Sequence, residues 1–478
     1  MNYPVWDVPF LGAGLVVAII AIIHVLISHL AIGGGALLFV AEIWSDRQPN
    51  GEAIREWLHK YATWFLVYTT VFGAVTGVGI WFAIQLASPE GTSLLIHQFV
   101  FAWATEWVMF LAELTILYFY FYGWGRYGRG RQIFLAGAYF VSAWLSLFII
   151  NGILTFMLTP GQWSLAGTSI AAGFFNPGFF PSLFIRTLIM FMLAGLFAII
   201  VATRFEDKAF KEKVIGFAAR WVIPAAILTP PLLLWYFSTL PEATVTLFRE
   251  GVTGVMGGRL EALTRYFWLA ISAGFLIVAG TAFVAWRPRV ATTAGAIALF
   301  VIAQFGFMGG EFFREMARKP YVVYGTLYSN SLWQEKAEDP DYMGRPYLEQ
   351  ARWAPPVEPL SAEHGEWLWR LQCSSCHTWQ GYRSLAARTE NWSGEFGLRW
   401  FETMHETGVM PPFQGTLEDR AALAAWIVSS HGGQTVSAAE LVAAERSAAL
   451  ADALWTVNGN GAVRPGADLP ASGREGGR

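Results

Sequence analysis

The sequence predicts an all-α protein, a polytopic membrane bundle of about eight spans carrying a small soluble all-α domain at its C-terminal end. Three observations lead there. Of 478 residues, 55% are hydrophobic and only 14% are charged, with a mean hydropathy of +0.42, whereas soluble domains carry about 25% charge. Apolar runs long enough to cross a bilayer recur along the first two-thirds of the chain. After about residue 320 the composition shifts to Pro, Tyr and Trp, then to a compact polar segment. A net charge of −3 with no basic stripe gives no footing for nucleic acid.

The spans fall at about 10–43, 60–87, 98–123, 132–159, 181–203, 217–238, 264–286 and 292–313. The first run is too long for a cleaved signal and lacks a basic leader, so it reads as a retained span. Pro230–Pro231 is expected to kink the sixth. Segments Ser45–Lys60, Gly125–Arg131, Arg204–Arg220 and Arg287–Arg289 hold 13 Lys and Arg, against 3 in the segments that alternate with them. The basic side is therefore expected to be cytoplasmic. Both termini would then face the periplasm of a bacterial inner membrane. The domain reading is 1–319 for the bundle, 320–360 for a linker on the outer face, 361–455 for the soluble domain and 456–478 for a disordered tail.

The third span carries two carboxyl groups, Glu106 and Glu113. Seven residues make close to two helical turns, so both project from one face, roughly 10 Å apart along the axis. An unpaired carboxylate in hydrocarbon is costly, so such groups face a partner, a cavity or a cofactor. Proton handling or contact with a cofactor is the functional reading; a polar contact between packed helices is the plain one.

Only two cysteines occur, and both lie in Cys373-Ser-Ser-Cys376-His377. Two thiols at this spacing form thioethers to a porphyrin and the adjacent His ligates its iron, so one covalent haem c is expected. A zinc site would need more Cys or His than His364 and His405 nearby, and a thioredoxin-like pair would need a βαβ setting. Met410, in Gly408-Val-Met-Pro-Pro-Phe413, is the expected sixth ligand, with Met404 and His405 as rivals. In motif order and spacing this segment resembles class I cytochromes c. Attachment of haem c requires export, which agrees with the charge count.

His24, His29, His59 and His97 lie in or beside spans. His24 and Glu42, eighteen apart, share a helix face. With Gly33 between them, and with Phe72-Gly-Ala-Val-Thr-Gly77, Phe121-Tyr-Gly-Trp-Gly-Arg126, Gly306-Phe-Met-Gly-Gly-Glu311 and Arg318-Lys-Pro-Tyr-Val-Val-Tyr-Gly325, residues 8–330 resemble subunit I of the cytochrome bd quinol oxidases. The resemblance implies that His24 is an axial ligand of an active-site haem, with Glu106 beside it and Glu113 as a second acid. It implies that Glu311 is the carboxylate ligand of a neighbouring high-spin haem. The chain departs from that pattern where the family's low-spin haem takes a His on the fifth span and a Met on the seventh. Here Arg186 stands at the first position and no Met lies near Ser272. Arg186 is expected to snorkel or to pair with a haem propionate. His97 is a candidate ligand for another b haem, with His29, Met190 and Met192 behind it.

The resemblance implies a membrane terminal oxidase that reduces dioxygen to water, holding one or more haems b, or haem d at its active site. Electrons would come through haem c from a periplasmic cytochrome c or a quinol-oxidising complex. A second multi-span subunit, subunit II-like or a further copy, is the expected membrane partner. The alternatives are an electron-transfer subunit without gas chemistry, or nitric oxide reduction at the same haem.

Overall fold

The structure is a computed structural model and describes residues 3–165, 167, 169–253, 261–432 and 435–457. It is an all-α membrane bundle, with eight described helices long and apolar enough to cross a bilayer. The tail expected at 456–478 lies, from residue 458, outside the described residues.

The bundle is built around α1 (Ala13–Asp46), a predominantly apolar helix of 34 residues. Its middle carries Gly33, Gly34 and Gly35, and each glycine faces a different neighbour. A Cβ on Gly33 would lie 2.0 Å from the Met190 carbonyl oxygen, on Gly34 2.2 Å from the Phe65 ring, and on Gly35 2.4 Å from the Tyr139 ring. Three consecutive residues on a helix point about 100° apart, so a run of glycines lets three helices close on α1 at one level.

The second span starts earlier than expected. α2 (Gly51–Val67) runs through a π-helical turn, Tyr68–Phe72, into α3 (Gly73–Ala87). Its first half is amphipathic, with Glu52, Arg55, Glu56 and Lys60 on one side and buried Ile54, Trp57, Leu58 and Tyr61 on the other. That polarity hides it from a hydropathy reading. α4 (Pro89–Gln98) precedes α5 (Val100–Tyr122), and Phe99 leaves helical geometry between them. α6 (Arg129–Phe156), the short α7 (Ile170–Phe174) and α8 (Phe179–Ala202) follow. α9 (Lys208–Ser238) begins nine residues before the expected start and stays helical through Pro224, Pro230 and Pro231. α10 (Glu242–Thr253), α11 (Glu261–Trp286) and α12 (Thr293–Arg318) complete the bundle.

The stretch expected as a linker is more ordered than that. β1 (Tyr321–Val323) and β2 (Leu327–Tyr328) form an antiparallel hairpin. Its buried Val322, Val323 and Leu327 pack with Leu95, Phe99, Phe156 and Trp163 over one end of the bundle. α13 (Gln334–Ala337), α14 (Pro340–Met343) and α15 (Tyr347–Gln350) follow. Tyr347 and Ala351 belong to the core of the C-terminal domain, together with Leu368, Phe401 and Leu423.

That domain holds α16 (Ala362–Leu368), a π-helical Trp369–Cys373, α17 (Leu385–Thr389), α18 (Gly394–Thr403), α19 (Leu417–Ser429) and α20 (Ala438–Val457). Asp419 ties it together. It completes a capping box with Thr416, accepts the Tyr347 N–H at 2.9 Å and meets His364 Nε2 at 2.8 Å. A buried carboxylate so surrounded by donors is satisfied without solvent.

The glycine run gives a direct test. Gly33→Ala places a methyl against backbone, which cannot rotate away, so α1 and α8 must separate. The expected cost is about 1–3 kcal/mol, read as a lower thermal midpoint of the purified protein, with Gly216→Ala, where nothing lies within 4 Å of the new methyl, as the silent control.

Candidate functional site

Glu106 and Glu113 are the start of a longer series. Tyr120 follows on the same face of α5 after another seven residues. The antiparallel α6 presents Ser146, Tyr139 and Gln132 at the same interval. Two facing heptads in opposite directions meet rung by rung. The Ser146 hydroxyl donates to Glu106 Oε1 at 2.8 Å and the Tyr139 hydroxyl to Glu113 Oε1 at 3.1 Å. Gln132 donates to the Tyr120 carbonyl at 3.0 Å. Tyr120 in turn donates to Glu42 Oε1 at 2.8 Å, and Arg129 reaches Glu42 Oε2 at 2.6 Å and Asp46 Oδ1 at 3.0 Å. The sequence signalled the two acids; their partners on α6 left no signal beyond the matching seven-residue interval.

The histidines separate into four environments. His24 is half-buried, with Nδ1 3.2 Å from the Thr76 hydroxyl. Gly77 passes so close that a Cβ there would lie 3.1 Å from its ring. His29 is buried; its Nδ1 bonds the Val25 carbonyl at 2.7 Å, its Nε2 has no partner among the described residues, and its ring lies 5.0 Å from that of Phe307. His59 stacks on Phe121 and meets Trp124 at a tilt. His97 sits exposed at the end of α4 rather than on the third span, with Nδ1 bonded to the Ser93 carbonyl at 2.8 Å. The break at Phe99 turns it out of the helix that bears Glu106.

Arg186 does not snorkel. It is buried and donates to Glu311 Oε1 at 3.0 Å, while Arg314 donates to Glu311 Oε2 at 3.0 Å. Both oxygens of Glu311 are thus engaged by guanidinium groups, and binding an iron would require one of them to let go. One turn on, Glu315 pairs with Arg318 at 2.5 Å and with Lys319 at 3.3 Å. Sequence reading missed this second carboxylate and its two cations, although their spacing at i, i+3 and i+4 is a standard helical pairing.

The Cys-X-X-Cys-His loop sets two thiols and an imidazole on one turn. Cys373 ends the π-helical turn and both thiols are free. Burial, and then Cys376 beside it, push the Cys373 thiol up to about 12. Burial lowers the His377 pKa, which keeps the imidazole neutral. Its Nδ1 bonds the Arg383 carbonyl at 2.9 Å. That bond fixes the tautomer that leaves Nε2 for a metal. A cavity of about 250 Å³ beside the loop is lined by Trp6, Phe10, Trp369, His377 and Trp379. Met410 lies half-buried in the irregular segment after Gly408, which takes a left-handed φ of 70°. Two free thiols beside an imidazole whose Nδ1 is bonded elsewhere are a donor set that would suit a covalently held haem.

The residues after the loop are joined to the bundle. The Tyr382 N–H donates to the Phe10 carbonyl at 2.7 Å. Gly381 has a φ of 131°, and a Cβ there would lie 2.3 Å from that oxygen, so only glycine allows the approach. The Arg383 guanidinium touches the Met316 sulfur on α12.

Replacing Glu42 by Gln leaves Arg129 and Tyr120 facing a neutral amide. The Arg129 side chain is 38% exposed, so the loss is smaller than for a fully buried pair, about 1–3 kcal/mol. It is expected as a lower melting temperature, with Asp46→Asn, at a more exposed rung, giving the lesser effect.

Neither a protein-family model nor a curated protein matches this chain. Among solved structures, the bd oxidase from Geobacillus thermodenitrificans is similar at a TM-score of 0.57 and 13% identity, over 66% of this chain and 88% of that one. At that identity the likeness is one of fold: this chain and that oxidase share a membrane helical bundle.

Proposed function

We propose that the chain is a haem-bearing membrane oxidoreductase of the cytochrome bd type, fed with electrons through a haem c on its periplasmic side. The observation that carries the reading is the seat of the Cys-X-X-Cys-His loop on the first span. A Cβ on Gly14 would lie 3.7 Å from the Ser375 carbonyl, and His24 follows ten residues along the same helix, about 15 Å further by helical rise. A covalent redox centre and a candidate buried haem ligand are thereby held on one rigid element.

In this reading Cys373, Cys376, His377 and Met410 would hold haem c, and His24 would hold a buried haem. A haem at that site supplies an iron able to bind and reduce dioxygen. The chain's own part is to hold and move protons. Glu106, bonded to Ser146, and Glu113, bonded to Tyr139, stand two turns apart on α5 and take up protons for the water formed. The resemblance assigns Glu311 to a second buried haem. Its two guanidinium partners support a role in fixing charge beside that haem as much as ligation. The partners are a periplasmic cytochrome c or a quinol-oxidising complex as donor, and a second multi-span membrane subunit.

One observation favours a second reading, an electron relay without gas chemistry. Arg186, where the family places a low-spin ligand, is committed to Glu311. Carbon monoxide difference spectra of the reduced protein separate the two: a shifted Soret band is expected for the oxidase and none for a relay. With oxygen as acceptor, Glu106→Gln is expected to slow consumption about 100-fold while extractable haem stays constant. An unchanged rate would remove Glu106 from the chemistry.

A further inference from the structure

The span ends beneath the C-terminal domain hold more positive charge than the described residues answer. Arg186, Arg314, Arg318 and Lys319 meet only Glu311 and Glu315 in ion pairs. Three guanidinium N–H groups in this layer are buried and without an acceptor among the described residues: Arg186 Nε, Arg314 Nη1 and Arg318 Nε. Arg186 is 5% exposed and Arg318 6%. A buried donor without an acceptor, beside an excess of two positive charges, is a costly arrangement for a chain to keep. It becomes favourable when a group carrying two negative charges and several acceptor oxygens enters.

The placement makes this one layer. Glu311 bridges Arg186 on α8 and Arg314 on α12, so the free edges of both guanidinium groups flank a single carboxylate. Arg318 lies one helical turn beyond Arg314, and Tyr236 of α9 stands within electrostatic reach of Arg186, Arg314 and Glu311. The layer opens toward Glu315, whose side chain is 34% exposed. Met316, between these residues, touches Arg383 of the Cys-X-X-Cys-His domain.

We propose that Arg186, Arg314 and Arg318 form a binding site for a dianionic pair of carboxylates, the two propionates of a buried haem. This rests on the proposed haem content and deepens it, since it assigns the anchor of that haem to arginines rather than to Glu311 alone. Arginine suits such a ligand because its planar fork pairs carboxylates through two parallel hydrogen bonds and its charge is permanent. The shared chemistry, a dianion held by guanidinium groups, is also that of free phosphate, and the two sources differ in what the protein carries on purification.

The test uses the full chain in nanodiscs, with covalent haem c as an internal reference. Extractable haem per haem c, from pyridine haemochrome spectra, and the midpoint potential of the extractable haem are measured for Arg186→Gln, Arg314→Gln and Arg318→Gln. At least a threefold fall in the ratio, or a shift of the potential to more negative values, is expected for each, with substantial recovery in the matching Arg→Lys variants. A haem c spectrum unchanged from the parent shows that the variant has folded. Gln variants with parental ratio and potential overturn the proposal. So does a wild-type protein whose melting temperature rises with added inorganic phosphate, with the rise lost in Arg314→Gln while the haem ratio stays constant, because the site then takes a free anion. A wild-type protein with no extractable haem fails the proposed function itself, a result separate from either.

Discussion

A charge or a hydrogen-bonding group inside a bilayer must be answered within the protein, because hydrocarbon offers nothing in exchange for water. That constraint organises this bundle. Most of the carboxylates and guanidinium groups paired within the spans gather in two places. One is the ladder between α5 and α6 that ends on Glu42 and Arg129. The other is the guanidinium layer around Glu311. Between them the core is aliphatic and aromatic, centred on Leu37, Leu38, Phe65 and Ala194. Each polar group on the ladder has a partner one helix away, and the glycine run of α1 permits the close packing that brings the partners within reach.

The spans were legible because hydropathy needs only composition over a window, and the eight apolar stretches are long. Their ends were less so. The start of α2 is amphipathic and so carries the polarity of a loop with the periodicity of a helix. The hairpin after α12 and the part played by Tyr347 in the C-terminal core depend on contacts between distant segments, which no local pattern encodes. Glu106 and Glu113 stood out because an acid in an apolar run has few explanations. Arg186 stood out for the same reason, but its direction did not. Whether a long cation turns to the interface or to the interior depends on what lies opposite, and Glu311 is 125 residues away in sequence. His97 illustrates the limit from the other side: one residue, Phe99, leaves helical geometry and moves it off the element it was assigned to.

The C-terminal domain is also placed by long-range terms. A soluble domain on a flexible tether would sample many positions, and any electron leaving it would have to wait for the right one. Here the residues just after the Cys-X-X-Cys-His loop are fixed to the bundle. Phe10, immediately before α1, bonds Tyr382, and Arg383 presents its carbonyl to His377 while its guanidinium rests on Met316. The same residue therefore orients the imidazole that would hold the covalent haem and touches the span that carries Glu311 and Arg314. Gly381 makes the first of these contacts possible, at a φ that L side chains rarely adopt.

Such a junction has an electrostatic consequence. A positive layer lowers the energy of an electron arriving near it, and the effect is large where water is excluded. The guanidinium layer lies below the point where Arg383 meets Met316, so a redox group seated there would be held at a higher potential than the same group in a neutral setting. In the reading proposed above, electrons from a haem c would then move inward with a favourable slope rather than against one. Arg186 suits this arrangement: it is buried and places a fixed positive charge 3.0 Å from Glu311, and in that same reading the electrons would be supplied by the attached domain.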